Sequence, residues 1–431
     1  MNKLAICGGT PVRTKLFPAY NTIGEEEKRA VLTVLESGNL SQFLGAWHKD
    51  FYGGPYVQAF EKEWSTLFKV KHTISVNSNT SGLFAAIGAC GIQPGDEVIV
   101  SPYTMSAGAI APLIYGAVPV FADIDIDNFG LDPASIERCI TPRTKAILVV
   151  HIFGNPSKMN EVMQIARKHN LTVIEDCAQA PMAMYKDKLV GTIGHIGVFS
   201  LNYHKHVHTG EGGVVVTNDD LLAEKLFLIR NHGEQVVEAK GTLDLLNTQG
   251  FNYRMTEIAA AIGIEQLKKL PGLLVERRKN IDYLTNGFEQ IQGLTAPLVE
   301  QGNTHAYYVH PLKYDQSLFS GVHRNRYVDA LKAELPSAVM REDTPLIGAG
   351  YVKPLYLQPI YQQRISACSF NCPRYTGQVS YAPGICPNAE QLHYNELITH
   401  EFMRPGMSTL DLMDVINAFQ KVAENIKELI Q

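Results

Sequence analysis

From His72 onward, short β-rich segments alternate with helical segments, and this alternation restricts the fold more than any other feature of the sequence. The strand-like segments are HTISV, EVIVS, VPVFAD, KAILVVHI and LTVIED, and the helical segments between them are TSGLFAAIGAC, SAGAIAPLIYG, LDPASIERCI and KMNEVMQIARKH. Apolar strands separated by helices of this length are typical of βαβ units, in which helices cover both faces of a mostly parallel sheet. The sequence therefore predicts an α/β fold. The segments GHIGVFSL and GGVVVTND have no full helix between them, which favours a local antiparallel pair.

Longer helical patterns replace this alternation after Asn218. They are LLAEKLFLIRNH, TEIAAAIGIEQLKKL and LVERRKNIDYLTNGFEQI. Pro271 and Gly272 interrupt them, and a Pro-Gly pair predicts a break in the chain. We therefore expect a large domain over residues 1–270, which includes an N-terminal arm, and a smaller C-terminal α/β domain over residues 271–431. In the smaller domain we expect a strand at HAYYVHPLKY, a helix near VDALKAEL and a final amphipathic helix.

The charge balance argues against nucleic acid as a partner. Lys and Arg number 38 against 43 Asp and Glu, so the formal net charge of −5 supplies no broad positive field for a phosphodiester backbone. The most apolar stretch, residues 107–122, contains prolines and is shorter than the roughly 20 residues that a bilayer helix needs. The first residues include no apolar targeting segment. We expect a cytoplasmic protein without a membrane span.

The cysteine content favours reduced thiols over a disulfide framework, because seven cysteines is an odd number in a chain with a large core of its own. Cys368, Cys372 and Cys386 lie close in sequence, but their spacing is not that of a usual zinc site. We expect no metal.

The segment FSLNYHKHVHTGEGG is the most informative one, because it places Lys205 in a short irregular turn between two apolar strands. Desolvation lowers the pKa of an amine, and a neutral amine can form a Schiff base with a carbonyl. A solvated surface lysine is the alternative interpretation.

Two further segments precede this turn. LTVIEDCAQA is a strand that ends in an acidic pair at the carboxyl edge of the sheet, where ligands of open α/β sheets bind. Asp176 is well placed there to hold a pyridinium nitrogen, although a helix N-cap explains it equally well. SVNSNTSG opens an apolar helix, whose free amides and hydroxyls can hold a phosphate, although simple capping by Asn79 or Thr80 is the alternative. A phosphate cradle, a strand-end aspartate and a turn lysine, in that order, together predict a site for pyridoxal phosphate.

The same segments resemble a known family. The sequence is similar to the DegT/DnrJ/StrS sugar aminotransferases, which are pyridoxal-phosphate enzymes with the aspartate aminotransferase fold, fold type I. The resemblance covers nearly the whole chain and rests on GPYVQAFEKEW, SNTSGLFAAI, GDEVIVSPYT, ITPRTKAILVVHIFG, VIEDCAQA, FSLNYHKHVHTGEGG, IRNHG and GFNYRMTEIAAAIGIEQL.

The resemblance implies roles for individual residues. Lys205 would carry the cofactor covalently and then shuttle protons. Asp176 would pair with the pyridine nitrogen, Gln179 would contact the ring hydroxyl, and Ser200 would bind the phosphate. We assign the remaining cofactor contacts to Asn79, Thr80, Ser81, Met105 and Asn252.

Two of these assignments carry a further implication. Asn252 matches an asparagine that in the family reaches the phosphate of the neighbouring subunit, which implies a homodimer with shared active sites. Met105 stands where relatives usually carry Trp or Phe, so a thioether contact would replace an aromatic stack on the cofactor ring.

Substrate contacts are expected from two places. The long segment NLSQFLGAWHKDF would border the substrate pocket through Trp47, His48 and Lys49, or form an exposed loop. His204 and His206 flank the lysine and, with His208, would share one face if this segment were a strand; we favour polar contacts with substrate over a metal. In IRNHG, Arg230 and His232 could contact substrate, but a helix end capped by Gly233 explains the same residues. The substrate residues are thus predicted to be Trp47, His48, Lys49, His204, His206 and His232.

The resemblance implies transfer of an amino group from glutamate or glutamine to a keto or aldehyde sugar in two half-reactions. An oxidised octulosonate of lipopolysaccharide assembly is the first expectation, and a cyclitol or a nucleotide-linked sugar is the alternative. A dehydratase of the same family is a competing interpretation, although those relatives carry His where this chain has Lys205. A non-catalytic regulator that binds the cofactor is the competing interpretation from another class.

Overall fold

The computed structural model describes residues 3–241, 248–338, 345–365 and 367–430, with the backbone alone for residues 367 and 368. The strands are β1 (His72–Val76), β2 (Glu97–Val100), β3 (Val118–Phe121), β4 (Thr144–Val150), β5 (Thr172–Asp176), β6 (Met184–Tyr185), β7 (Lys188–Leu189), β8 (Ile196–Ser200), β9 (Gly213–Thr217), β10 (Leu294–Thr295), β11 (His310–Tyr314), β12 (Ile347–Ala349) and β13 (Leu397–His400). The helices are α1 (Glu25–Ser37), α2 (Pro55–Phe68), α3 (Asn79–Ala89), α4 (Ala107–Ile114), α5 (Pro133–Cys139), α6 (Met159–His169), α7 (Asp220–Arg230), α8 (Val237–Lys240), α9 (Glu257–Phe288), α10 (Arg324–Glu334), α11 (Pro359–Gln362), α12 (Ala367–Phe370), α13 (Pro387–Gln391) and α14 (Thr409–Glu424).

The central sheet has the strand order β1-β9-β8-β5-β4-β2-β3. The pairs from β3 through β2, β4 and β5 to β8 are parallel, whereas β9 pairs antiparallel with both β8 and β1. Alternate residues of β2 enter different cores: Val98 and Val100 join one, and Ile99 joins the other. The predicted α/β class, the mostly parallel sheet and the antiparallel pair are confirmed. Because β5 and β8 are parallel, their carboxyl ends bring Asp176 and Ser200 to the same edge.

The predicted break at Pro271 is wrong, because α9 runs without interruption from Glu257 to Phe288 and includes this proline. A proline inside a helix removes one backbone hydrogen bond. Leu270 and Leu274, on either side of the proline, are buried, so tertiary packing holds the helix together across the missing bond.

A second sheet, with the order β10-β11-β13-β12, is antiparallel throughout. Its core is shared with the start of the chain, since Leu4 and Phe17 pack in the same cluster as residues of α10 and α14. Tyr361 and Tyr381, in contrast, pack against the core of the central sheet. The division at residue 270 stays a prediction, and these contacts cross it in both directions. The strand predicted at HAYYVHPLKY begins only at His310, so the residues before it approach the central sheet as irregular chain.

None of the described helices is both long enough and apolar enough to cross a lipid bilayer.

Candidate active site

A cavity of about 420 Å³ opens at the carboxyl edge of the central sheet. Residues that sequence analysis singled out form much of its lining: Asn79, Thr80, Met105, Asp176, Gln179, Ser200, His204 and Lys205. Polar or aromatic residues that it did not single out also line the cavity: Ser78, Thr104, Asn202, Tyr203, Glu211, Tyr308 and Tyr351.

Lys205 lies in the turn that connects β8 to β9. Ser200 pairs with Gly213 across these strands, so the turn begins directly at the sheet edge. The amide of Lys205 donates to the carbonyl of Asn202 at 2.9 Å, and the amine Nζ lies 4.1 Å from the centroid of the Tyr308 ring. Burial lowers the pKa of the Lys205 amine to about 8, against the opposing effect of nearby Asp176. The neutral amine is therefore accessible near neutral pH, as a nucleophile or a general base requires.

Asp176, the last residue of β5, faces the cavity with a buried carboxylate. Its Oδ1 accepts hydrogen bonds from the amide of Ala178 at 3.0 Å and from Nδ2 of Asn79 at 3.3 Å. Burial raises the pKa of this carboxyl, and the hydrogen bonds and Lys205 oppose the increase. Residues 177–183 form turns rather than a helix, so the N-cap interpretation of Asp176 is wrong.

The neighbouring Glu175 points to the opposite side of the sheet. Its carboxylate contacts Nε2 of His151 at 2.9 Å and accepts from the amides of Gly191 and Ile193, both at 2.8 Å. In the described part of the chain, His151, Glu175 and Cys177 are the one group whose ligand atoms lie close enough together for a metal, all within 4.8 Å. The Glu175 oxygens already accept hydrogen bonds from backbone amides. We therefore interpret the group as a structural one that holds the loop between β7 and β8 against β5.

The amino end of α3 enters the cavity from the same edge. Ser78 caps the helix, its Oγ accepting from the amide of Ser81 at 3.0 Å, so the cap is not Asn79 or Thr80. Ser81 is buried, donates its hydroxyl to Oδ1 of Asn77 at 2.5 Å and does not line the cavity. None of the described residues accepts a hydrogen bond from the backbone amides of Asn79 and Thr80. These amides and the positive end of the helix dipole form a site for an anion.

A glycine keeps this helix end close to the sheet. A Cβ atom at Gly213, the first residue of β9, would lie 2.5 Å from the carbonyl carbon of Ser78. Any larger residue would push the amino end of α3 away from the lysine turn.

Gln179 is held in one orientation. Its Oε1 accepts from the amide of Phe153 at 2.6 Å, which identifies the other terminal atom as the donor nitrogen. That Nε2 donates to Oη of Tyr351 at 3.2 Å and retains a second hydrogen for a ligand oxygen in the cavity.

The histidines around the lysine do not share a face. Residues 201–212 form the irregular turn expected for this segment, so the strand geometry that would give the three histidines a common face is absent. His204 is exposed and lines the cavity, whereas His206 is buried and contacts the carbonyl of Ala306 through Nε2 at 2.9 Å. Burial holds the pKa of His206 well below its usual range. The hydroxyl of Tyr20 donates to the carbonyl of His206 at 2.5 Å, and this hydrogen bond holds the turn in place.

Other predicted substrate residues lie outside the cavity of the single chain. Trp47, His48 and Lys49 are exposed, and the Trp47 ring lies 5.0 Å from Nζ of Lys240. His232 also does not line the cavity and lies 3.9 Å from Glu234. Their contacts with a substrate stay predictions.

The IRNHG segment lies at the end of α7, and its Arg230 is inside the protein. Arg230 is fully buried and pairs with Glu61 at 2.6 Å, so its role is structural. The predicted Gly233 cap is wrong: α7 ends at Arg230, and the left-handed residue after it is His232, with φ of 49°.

Asn252 and Met105 lie at the protein surface. Asn252 is exposed and pairs through its backbone with Asn231, away from the cavity lining. Met105 lines the cavity with 64% of its surface exposed. Of the three clustered cysteines, Cys372 and Cys386 are free thiols, and the Cys368 side chain lies outside the described part of the chain.

The missed tyrosines come from the C-terminal part of the chain. Tyr308 belongs to the segment interpreted as a strand, and Tyr351 to GAGYVKPLYL. Local sequence gave no sign of either, since an aromatic residue in an apolar segment is typical of a core. The positive φ of Gly350, 74°, immediately before Tyr351, is the one local feature that marks a sharp turn at this place.

The chain is similar to known proteins over nearly its whole length. The model of the DegT/DnrJ/EryC1/StrS aminotransferase family matches residues 21–420. The spore coat polysaccharide biosynthesis protein SpsC of Bacillus subtilis is 34% identical over 409 residues, which cover 93% of this chain and 95% of that protein. The L-glutamine:2-deoxy-scyllo-inosose aminotransferase of Micromonospora echinospora is 31% identical over 446 residues and 100% of both chains.

A solved structure gives the same result. The aminotransferase from Psychrobacter cryohalolentis superposes with a TM-score of 0.80 at 29% identity, over 95% of this chain and all of that one. The chain belongs to the DegT/DnrJ/EryC1/StrS aminotransferase family.

Proposed function

We propose that the protein is a pyridoxal-phosphate-dependent aminotransferase that moves an amino group from glutamate or glutamine to a keto or aldehyde group of a sugar or cyclitol. One observation carries the proposal: the Lys205 amine, the Asp176 carboxylate and the amino end of α3 all line a single cavity. Each of these groups costs free energy to bury. Their occurrence together in one cavity is therefore typical of a functional site and not of a purely structural one.

The chemistry of these groups fits pyridoxal phosphate. The amides of Asn79 and Thr80, with the hydroxyls of Thr80 and Ser200, are suited to a phosphate dianion. The Asp176 carboxylate is suited to a protonated ring nitrogen, and the Gln179 Nε2 to a ring oxygen. Met105 would cover one face of the ring, and Ser81 would act indirectly by holding Asn77 and the helix cap.

When bound, pyridoxal phosphate supplies an electron-withdrawing ring that stabilises negative charge on the carbon next to an amino group. Asp176 would keep the ring nitrogen protonated by direct ion pairing. Lys205 would hold the cofactor covalently, and once released its Nζ would accept the proton from the amine-bearing carbon and return it to the carbon on the other side of the amine nitrogen.

We propose a cyclitol as the acceptor. The glutamine-dependent inosose aminotransferase that aligns over 100% of both chains supports a cyclitol and a glutamine donor. The oxidised octulosonate expected from sequence, and a nucleotide-linked keto sugar, are the competing acceptors.

We also propose that the working form is a homodimer. Asn252 is exposed and lies outside the cavity of its own chain, which suits a contact with the phosphate site of a second copy. Co-expression of Lys205→Ala and Asn252→Ala chains with different tags isolates mixed dimers. One intact site in each mixed dimer, and about half of the wild-type activity, is expected; inactive mixed dimers would show that Asn252 serves its own chain.

Nitrogen tracing tests the proposed reaction. The enzyme is incubated with ¹⁵N-glutamate or ¹⁵N-glutamine and, in turn, with scyllo-inosose, an oxidised octulosonate and a nucleotide-linked keto hexose. The expected result is ¹⁵N in one product, read by mass spectrometry, and none with Lys205→Ala. A product that has lost a hydroxyl without gaining nitrogen would identify a dehydratase. Bound cofactor that neither donor converts would identify a regulator.

A further inference from the structure

The ring of Tyr308 lies against the reacting end of Lys205. The distance from Nζ to the ring centroid is 4.1 Å, which is inside the range of about 6 Å for a cation held over an aromatic face. The two residues are 103 positions apart in the chain, so neither the lysine turn nor the tyrosine segment dictates the contact by itself.

Backbone contacts fix the ring in this place. The amide of Tyr308 donates to the carbonyl of Phe153 at 2.7 Å, and the amide of Ala306 donates to the carbonyl of Gly154 at 2.9 Å. A Cβ at Gly154 would lie 2.7 Å from the amide nitrogen of Tyr307. The two backbone segments are therefore too close together for any side chain at position 154. Phe153 itself has φ of 59°, a conformation that bulky residues rarely adopt. This closely packed junction fixes the backbone from which the Tyr308 ring extends.

The cavity offers little other compensation for a charged amine at this position. Burial is the largest influence on Lys205 and disfavours the ammonium form, while Asp176 and Glu401 favour it. Under the proposed function the Asp176 charge is matched by the ring nitrogen of the cofactor. Glu401 is paired with Arg404, with Nε at 3.0 Å from its carboxylate. The other titratable side chains that face this region are Tyr203, His204, His206, Glu211 and Tyr351.

We propose that Tyr308 is a positioning residue whose aromatic face receives the Lys205 ammonium group whenever this group is released and protonated during the transfer. The inference rests on the proposed function. It assigns the role to the ring face and not to the hydroxyl. Burial raises the pKa of the Tyr308 phenol well above its usual range, so the phenol stays neutral and supplies no charge of its own.

Two substitutions separate the ring from the hydroxyl. Tyr308→Phe keeps the aromatic face and removes the oxygen, whereas Tyr308→Leu removes both. Tyr308→Met serves as a second non-aromatic variant of similar length if the leucine variant does not fold.

The first readout is the pKa of Lys205 itself. The full chain is loaded with pyridoxamine phosphate, which leaves Lys205 uncombined, and is labelled with trace acetic anhydride between pH 6 and pH 10. Mass spectrometry of the Lys205 peptide then gives the pKa of the amine. We expect wild type and Tyr308→Phe to agree within about 0.3, and the non-aromatic variants to give a pKa lower by about 0.5 to 1.5, as loss of a desolvated cation–π contact predicts.

The second readout is kinetic. In the non-aromatic variants kcat should fall about 3- to 30-fold with KM little changed, while Tyr308→Phe should stay within about twofold of wild type. Equal pKa values in the phenylalanine and leucine variants, or a loss in Tyr308→Phe as large as in Tyr308→Leu, would overturn the inference. Failure of the proposed function is distinguished independently, because wild type would then transfer no ¹⁵N from either donor.

Discussion

The two sides of the cavity, called here the sheet wall and the C-terminal wall, differ in the kind of chain that forms them. The sheet wall consists of Asp176, Ser200, Lys205 and the amino end of α3, all at the ends of strands or directly after them. The C-terminal wall consists of Tyr308 and Tyr351, which come from irregular chain and are placed by long-range contacts to Phe153 and Tyr103. The sheet wall carries the charges, and the C-terminal wall orients them. Substitutions should therefore cause losses of different size on the two walls.

The largest loss is expected on the sheet wall at the lysine. Lys205→Ala removes both the covalent attachment and the proton carrier, so turnover should fall by about a thousandfold or more. Lys205→Arg is the matched control, because it keeps the charge but cannot supply a neutral amine, and it should be equally inactive. Single-turnover measurements with saturating donor provide the rate. Turnover of Lys205→Ala within tenfold of wild type would remove the lysine from the reaction.

The sheet wall could be predicted because its information is local. Each strand of the central sheet appears as an apolar run, and a polar residue at the end of such a run must lie at the sheet edge, as Asp176 and Ser200 do. The same local reasoning does not show which neighbouring side chains turn inward. His206 and Ser81 are buried and do not line the cavity, although each lies within three residues of a side chain that does.

The C-terminal wall could not be predicted because its geometry is set by packing between distant segments. Tyr308 enters the cavity since the segment before β11 docks onto Phe153 and Gly154. Pro271 does not interrupt α9 for a related reason: the buried leucines around it decide the local structure.

A second prediction on the sheet wall concerns the charge of Asp176, which can be removed with little change in the shape of the side chain. Asp176→Asn keeps an oxygen for the Ala178 and Asn79 hydrogen bonds and removes the negative charge. Activity should fall about a hundredfold or more, as for removal of one preorganised group from a buried site. Burial raises the pKa of Asp176 in the folded chain, so its ionisation costs stability as pH rises through that pKa. The cofactor-free variant should therefore melt at a higher temperature than wild type at pH 8, and a lower melting temperature would contradict this account.

On the C-terminal wall, Tyr351→Phe should have a smaller effect. The substitution removes the acceptor for Nε2 of Gln179, 3.2 Å away, and leaves the ring in place. One hydrogen bond is worth about 2- to 10-fold, so the affinity for pyridoxal phosphate should weaken by that factor, measured by fluorescence titration. Tyr314→Phe is the matched control: its hydroxyl donates to the Val322 carbonyl at 2.8 Å, outside the cavity lining. Equal affinity losses in both variants would indicate a general loss of packing instead.

The smallest expected effect is on the link between the walls, the contact of His206 with Ala306. Burial lowers the pKa of His206, so the ring is neutral when folded and binds a proton when unfolded. Its contribution to stability is present above the unfolded pKa of about 6.5 and is lost as pH falls below that value. His206→Gln should therefore reduce the pH dependence of the unfolding free energy between pH 6.5 and pH 5 by about one proton. An unchanged slope in denaturant titrations would mean that His206 binds protons equally in the folded and unfolded chain, which would contradict its burial as a neutral ring.

The most direct test of the central claim is chemical trapping of the cofactor on the intact protein. The purified chain is mixed with pyridoxal phosphate, reduced with borohydride, digested and analysed by mass spectrometry. The account predicts one stoichiometric modification, on the peptide that contains Lys205, with none on that peptide in Lys205→Arg. Modification of a different lysine, or no modification after saturation with the cofactor, would contradict it.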